Sequence, residues 1–430
     1  MDIKEIYDVF MRCTCICTDT RNIAAGSLFV ALKGDTFDGN AFAADALEKG
    51  AAYCVIDNPQ YRTDDRCILV DNVLATMQQL ATYHRRQFNI PVLAITGTNG
   101  KTTTKELVTA VLRKRYRTHA TQGNFNNHIG VPITLLTMPL DTQIAVVETG
   151  ANHPGEIDFL CRIAEPDFGL ITNVGKAHLE GFGSFEGVIN TKTEMYRYLA
   201  EKNGRVFVNA DDDILMERSA AMSRTTYGQS AAADIKGAFV GANPYMKFYF
   251  ENGDNVYTVQ TNLLGDYNLP NAMAAVCVGQ YFGVELFDIK RALEDYMPTN
   301  SRSQFKQTAH NKLFLDCYNA NPSSMKAAVQ NFGKMAYSNA VVMLGGMKEL
   351  GATSEQEHRE VVAMAQSFGF SKMVFVGEEF AFVKGLADSV LWFATSQDAK
   401  QYFADNPLND CTILIKGSNS TKMGILVDSL

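Results

Sequence analysis

The chain has 430 residues, 46% of them hydrophobic and 20% charged, with 39 basic side chains against 47 acidic ones. That length holds one to three domains and a sizeable core. The net charge of −8 argues against a protein that coats nucleic acid or an anionic membrane, although a few local cations suffice to hold a phosphorylated substrate. The start, MDIKEIYDVF, lacks the basic-then-apolar pattern of a signal peptide, and no apolar run reaches the roughly 18 residues of a membrane span. Nine cysteines, an odd number scattered along the chain, fit a reducing cytoplasm.

Residues 1–88 read as a small α/β unit. Cys13, Cys15 and Cys17 alternate, which places them on one face of a strand as small side chains, with a metal or redox role as the alternative. The stretch from Thr18 to Gly39 is dense in turns and polar groups, interrupted by a strand over Leu28–Leu32. A helix over Phe42–Lys49, strands over Ala52–Ile56 and Cys67–Val70, and a helix over Val73–Phe88 complete the unit.

Residues 89–298 repeat strand then helix. The run PVLAITGTNGKTTTKELVTAVL, Pro91 to Leu112, organises this part. Val92 to Thr96 is a buried parallel strand by its β-branched apolar character. Gly97 and Gly100 bracket a tight turn that also holds Thr98 and Asn99. Lys101, Thr102 and Thr103 open a helix with Leu107, Val108, Val111 and Leu112 on one face. Strand, glycine turn and helix N-terminus make a phosphate cradle: backbone N–H groups converge on the anion, Lys101 reaches the outer phosphates and the Thr102 hydroxyl can hold Mg2+. The pattern is shorter than a standard P-loop, since Ile95 stands where GxxxxGK[ST] needs glycine.

Further strands are expected over Ile144–Glu148, Gly169–Asn173 and Val206–Asn209. They end in the polar clusters ETGANH, NVGKAH and NADDD, which should share one crevice with TGTNGKT. Glu148, at the tip of a buried strand, suits a Mg2+ ligand, or else a capping or salt-bridged acid. His178 sits in a glycine-rich loop and suits metal or phosphate contact. Lys192 reads from the residues alone as a surface salt-bridged lysine. GNFNNHIGVP offers Asn124, Asn126 and Asn127 to turns or to a polar substrate. Alternation around ENGDN, over Tyr245–Phe250 and Val256–Gln260, suggests an antiparallel hairpin insert. A helix over Asn268–Phe282 follows, with Asn271 near its start.

MPTNSRSQF near residue 298 reads as a linker. Residues 299–430 then show strands over Leu313–Cys317, Ala340–Leu344, Met373–Val376, Val390–Phe393 and Thr412–Ile415, a Rossmann-like α/β domain. Asp316, Tyr318, Asn319 and Asn321 follow its first strand, where plain capping is the alternative to a binding role. Arg302 and Lys416 are single cations near domain edges, read by default as solvated charge.

Together TDTR, FVALKG, TGTNGKTTTKE, GNFNNHIGVPITLL, VETGANHPGEI, NVGKAHLEGFGS, NLPNAMAA, LDCYNANPSSM and KGSNSTKM resemble the Mur ligases over nearly the whole chain. GNFNN and YNANPSSM resemble in particular the branch that adds D-alanyl-D-alanine to UDP-N-acetylmuramoyl-tripeptide. The closing loop departs from the family, with Asn419 where arginine usually follows KGS. The resemblance implies three α/β domains: 1–88 for the UDP-sugar, a P-loop-type domain with a mostly parallel sheet over 89–298 for ATP, and a Rossmann-like domain over 299–430 that closes over both. It implies a cytoplasmic monomer that ligates through an acyl phosphate for peptidoglycan synthesis. Thr18, Asp19, Thr20, Arg21, Lys33, Gly34, Asp38 and Gly39 would line the uridine-nucleotide site. The segment Gly97 to Thr103, with Asn271, Arg302 and Asp316, would bind ATP. Thr102, Glu148, His178 and a carbamylated Lys192 would hold two Mg2+ ions. Asn124, Asn126, Asn127, Tyr318, Asn319, Asn321 and Lys416 would contact the other substrates. Lys101, Lys192 and His178 would be the catalytic set. The classes left open are another amide ligase with GTNGK, such as folylpolyglutamate synthetase, a P-loop NTPase that does not ligate, and a scaffold with a vestigial loop.

Overall fold

The structure is a computed structural model and describes residues 1–298 and 302–430; residues 299–301, the centre of the expected linker, lie outside the described residues. The N-terminal unit carries six short strands: β1 (Ile16–Cys17), β2 (Leu28–Val30), β3 (Lys33–Gly34), β4 (Phe37–Asp38), β5 (Tyr53–Ile56) and β6 (Cys67–Leu69). Four of them pair in parallel in the order β1-β2-β5-β6, and β3 with β4 forms a separate hairpin. With only two residues, β1 cannot carry all three alternating cysteines: Cys17 alone lies in it. Cys13 follows the first helix and donates its thiol to Val9 O at 3.4 Å.

The central sheet contains β7 (Val92–Thr96), β8 (Thr118–Ala120), β9 (Ile144–Glu148), β10 (Phe168–Ile171), β11 (Arg205–Asn209), β12 (Ser223–Gly228), β13 (Ile235–Ala242), β14 (Tyr245–Asn252) and β15 (Asn255–Leu264). Its order is β15-β14-β13-β12-β11-β10-β7-β9-β8. Pairing is parallel from β8 across to β13 and antiparallel through β14 and β15. The expected hairpin is thus a continuation of the main sheet, with β13 as a third strand. Register matters for the site. Ile95 lies opposite both Glu148 and Leu170, so β9, β7 and β10 end level with one another and deliver their loops to one edge.

The third domain has β16 (Gln304–Gln307), β17 (Lys312–Asp316), β18 (Ala340–Gly345), β19 (Lys372–Val376), β20 (Val390–Phe393) and β21 (Thr412–Lys416), in the order β16-β17-β21-β18-β19-β20. Only β16 runs antiparallel to its neighbour among these described strands. Asp316 and Lys416 are register partners at the ends of β17 and β21.

The N-terminal unit and the central sheet share apolar packing. Ile6, Val9, Leu28 and Val30 belong to one cluster with Met77 and Leu80 of the helix Val73–Arg85 and with Val131, Leu135, Val147 and Leu160 of the central domain. Arg85 pins this joint. It is 7% exposed, and its guanidinium donates to Ala164 O (3.2 Å), Phe88 O (3.0 Å), Glu165 O (3.1 Å) and Asp167 Oδ2 (3.1 Å). The helix Leu269–Tyr281 is buried through most of its length, largely with apolar side chains, and packs against the central sheet and the helix Lys101–Leu112, fixing the back of the phosphate loop.

Arg85→Met keeps the apolar stem but removes the guanidinium donor from three carbonyls. It should destabilise the unit formed by the first two domains by roughly 2–4 kcal/mol, read as an earlier urea midpoint for the transition of that unit.

Candidate active site

All five residues of β7 are buried, and the chain then turns through Gly97 at φ +140° and Gly100 at φ +79°. A Cβ on Gly97 would stand 2.0 Å from Thr172 Oγ1, and one on Gly100 would stand 2.5 Å from Asn271 Oδ1. Glycine is therefore required by both conformation and space. The helix Lys101–Leu112 starts at Gly100 without a side-chain cap, so its first N–H groups face the crevice free to meet an anion. Asn99 N donates to Asn173 Oδ1 at 3.0 Å and Thr172 Oγ1 donates to Asn99 O at 2.6 Å, which ties the turn to the loop after β10. Lys101 Nζ donates to Gly97 O at 2.7 Å and Thr98 O at 3.1 Å. Enclosure lowers its pKa to about 8, against the attraction of Glu148 and with the help of Arg302.

Glu148 ends β9 at 1% exposure. Its Oε1 accepts from Asn126 Nδ2 (2.8 Å) and Thr102 Oγ1 (3.2 Å), whereas its buried Oε2 has no hydrogen-bond partner. The nearest cation to Oε2 is Lys105 Nζ at 3.9 Å. A buried carboxylate oxygen left open beside a threonine hydroxyl, at a phosphate loop, fits a hard cation with oxygen ligands. Among the described residues no group of three His, Cys, Asp or Glu could hold a metal unaided.

His178, at φ +50°, caps a short helix and pairs through Nδ1 with Glu349 of the third domain. Burial lowers its pKa, against the pull of Glu349. Lys192 is not on the surface. It is 2% exposed at the end of the helix Phe185–Lys192, its Nζ donates to Ala151 O at 3.3 Å, and the ammonium lies 5.3 Å from the centre of the Phe182 ring. Burial, then the charge of Lys101, holds its pKa well below that of an ordinary lysine, so a neutral amine is accessible.

The crevice, about 570 Å3, is lined from the central domain by residues 98–103, Asn124, Asn126, Asn127, Glu148, His178 and Asn271, and across from them by Arg302, Asp316, Tyr318, Asn319 and Lys416. Asn271 is held by Thr104 Oγ1 (3.1 Å) and by its own donation to Asn268 Oδ1 (2.9 Å). Neither Arg302 nor Lys416 is a solvated surface charge. The Arg302 guanidinium stacks 3.6 Å from the Tyr318 ring centre, with a buried Nε that has no hydrogen-bond partner among the described residues. Lys416, 1% exposed, donates to Asp316 Oδ2 at 2.5 Å and to Asn319 O at 3.2 Å. Asn321 caps the helix Pro322–Lys334 and also donates to Asn99 Oδ1 at 2.7 Å, joining the two domains across the phosphate turn.

The cluster NADDD does not reach this crevice. Asp211 accepts from Gln229 N and Ser230 N, and Asp212 caps the helix Asp213–Arg218, so both are used locally. The N-terminal candidates form a second polar group at the carboxyl ends of β1 and β2. Arg21 holds Asp19 at a pKa of about 2 through paired hydrogen bonds. Thr18 precedes that pair, and Thr20 O accepts from Lys49. Lys33 bridges to Asp57 at 2.8 Å, Asp38 caps the turn Gly39–Phe42 and Gly34 closes the β3–β4 hairpin. These residues lie outside the crevice lining.

Sequence reasoning missed Lys105, a 3% exposed lysine between Glu148 and Glu106 whose Nζ donates to Gly123 O at 3.1 Å. Asn173, in the expected cluster NVGKAH, and Asn268, which precedes the helix bearing Asn271, also line the crevice. The KTTTKE spacing, which sets Lys105 one helical turn beyond Lys101, was the available signal.

A phosphate cradle, an open buried carboxylate and a second domain lining the same cleft define a nucleotide-dependent enzyme assembled from two domains. Comparison with known proteins makes the class specific. Family profiles described as Mur ligase family, catalytic domain, Mur ligase middle domain, and Mur ligase, glutamate ligase domain match residues 12–92, 95–279 and 301–419. The chain belongs to the Mur ligase family and is an ATP-dependent ligase of three α/β domains. It is 35% identical over 426 residues, 96% of this chain and 92% of the other, to the UDP-N-acetylmuramoyl-tripeptide–D-alanyl-D-alanine ligase of Bacillus subtilis. A crystal structure of MurF from Acinetobacter baumannii matches with a TM-score of 0.89 at 30% identity, covering 100% of this chain and 98% of that one. The MurF ligase of Thermotoga maritima, solved in complex with ADP, matches with a TM-score of 0.85 at 26% identity over 98% of this chain and 97% of that one.

The depressed Lys101 pKa gives a signed pH dependence. The cation that attracts phosphate is present below about 8 and lost above it, and bound nucleotide raises the pKa again. ATP affinity should therefore fall as pH rises through this window. Titration calorimetry should show a fall in the wild type and a flat, weaker profile in Lys101→Met.

Proposed function

We infer that this chain joins D-alanyl-D-alanine to UDP-N-acetylmuramoyl-tripeptide, driven by ATP, to give the UDP-pentapeptide used in peptidoglycan synthesis. The relatives named above support the substrates. The observation that carries the local chemistry is the open Glu148 oxygen beside Thr102 and Lys101 in a crevice shared by two domains.

The reaction is a phosphoryl transfer followed by acyl transfer. The terminal carboxylate of the tripeptide takes the γ-phosphoryl group of ATP, giving an acyl phosphate and ADP. The amine of D-alanyl-D-alanine then attacks the acyl carbon, and phosphate leaves. Carboxylate and nucleotide are both anions, so the site must gather positive charge to bring them together. Lys101 would leave its carbonyl partners for the γ-phosphate, and the free N–H groups at the start of its helix would hold the β-phosphate. Thr102 and Glu148 would hold one Mg2+, and His178 with a carbamylated Lys192 would hold a second. Bound Mg2+ neutralises phosphate charge and aligns the transferring group. The partly free amine of Lys192, buried beneath the crevice, is the form that reacts with CO2. Asn271, Asp316 and Arg302, the last stacked on Tyr318, would contact the nucleotide. Asn124, Asn126, Asn127, Asn319, Asn321 and Lys416 would orient the peptide ends, and the polar group around Asp19, Arg21, Lys33 and Asp38 would hold the uridine diphosphate. Closure of the third domain would keep water from the acyl phosphate.

We place the work in the cytoplasm. No helix of the described residues is long and apolar enough to cross a membrane, and all nine cysteines are free thiols.

Phosphate release from ATP should require both UDP-N-acetylmuramoyl-tripeptide and D-alanyl-D-alanine, with the pentapeptide product found by mass spectrometry. Release indifferent to the dipeptide would instead support a non-ligating NTPase or another acceptor. Carbon-13 bicarbonate should give a carbamate resonance in the wild type that Lys192→Arg lacks; a signal that persists in the variant would remove Lys192 from the metal set.

A further inference from the structure

The loop after β10 meets the third domain at more than His178. Lys176 lies two residues earlier. Its backbone N donates to Ser323 Oγ at 3.1 Å, and its Nζ reaches Glu357 Oε1 at 3.0 Å. Glu357 is 2% exposed in the first turn of the helix Ser354–Ser367, and its other oxygen accepts Lys326 Nζ at 3.3 Å. The approach is tight: a Cβ on Gly175 would stand 2.8 Å from Ser323 Oγ.

The charges explain why this contact is directional. A carboxylate buried in the third domain must be matched on both oxygens. Lys326, from the same domain, meets one of them while also pairing with Glu360 at 2.6 Å, so it is shared between two carboxylates. The other is matched by a lysine from the central domain whose side chain is 51% exposed, so the lysine can be lost without opening a core while Glu357 is left half matched. Contact therefore satisfies Glu357 fully only when the loop bearing His178 sits in one register against the third domain.

We propose that Glu357 is a positioning residue for the ligation step, gripping Lys176 and thereby setting where the strand-end loop presents His178 to the crevice. Glu357 acts through Lys176 and touches neither substrate nor reacting atoms. The proposal rests on the ligase reading above.

Lys176→Met and Glu357→Gln should each lower kcat for pentapeptide formation about tenfold while the KM for ATP moves by less than about twofold, and the double variant should be no slower than the slower single. Lys176→Arg should restore most of the rate. Lys326→Met removes a cation from the same carboxylate without touching the loop, and should keep kcat within about twofold of wild type even if the melting temperature drops. Lys176 is half exposed, so its variants report even if Glu357→Gln folds poorly. Wild-type kcat in Lys176→Met, multiplied losses in the double variant, or an equal loss in Lys326→Met would overturn the proposal. If the wild type made no pentapeptide, the ligase reading would fail. The grip would still be read from hydrogen exchange of amides 173–179, which should quicken in Lys176→Met; unchanged exchange would refute it.

Discussion

The site depends on a carboxylate that the fold buries and leaves half matched. Glu148 is placed by the register of β7 against β9, which brings it level with the end of the phosphate strand. One oxygen is held by Thr102 and Asn126, and the other is open. Lys101, Lys105 and Lys192 share the surrounding interior, and burial pushes the pKa of each down. Such a cluster is unfavourable for an empty protein. It becomes favourable when polyanionic nucleotide and a hard cation enter, which is how a site built for charge transfer between anions has to be arranged.

The three domains are joined by different chemistry. The N-terminal unit and the central sheet share a hydrophobic cluster stitched by Arg85. The third domain meets the central one mainly through polar groups: Asn99 with Asn321, Lys176 with Glu357, His178 with Glu349, and Asn331 with Asp266 at 3.0 Å. Leu264 and Tyr245, at the antiparallel end of the central sheet, pack into the third domain's apolar core beside Phe305. Polar contacts exchange readily with water, and apolar ones do not. The crevice thus lies between a fixed wall and one that can part from it.

Much of this was readable from the residues. Val92–Thr96 and Ile144–Glu148 were legible to the residue because short apolar runs rich in β-branched residues leave little choice of period, the first also being bounded by Pro91 and Gly97. The third-domain strands read nearly as well for the same reason. Strands β8 and β12 did not, being short or rich in polar residues, and β1 has only two residues. The phosphate loop, Glu148 and the asparagines after Gly123 were visible as motifs. Lys192, Lys416 and Arg302 entered only through the family resemblance, because burial of a cation is decided by long-range packing that their local residue pattern does not show. NADDD looked like its neighbouring strand-end clusters, but its carboxylates are spent on a helix cap and two backbone amides.

The unequal joints between domains also bear on cooperativity. Where two units share one core, neither can lose its packing alone, whereas a unit attached mainly through polar pairs, with Leu264 and Tyr245 as its apolar contacts, keeps most of a core of its own. The first two domains are then a single melting unit and the third a separate one, so heat or urea encounters two transitions rather than one. A single melting temperature does not describe such a chain. A ligand that bridges the crevice binds the joint between the transitions and draws them together, in addition to raising them.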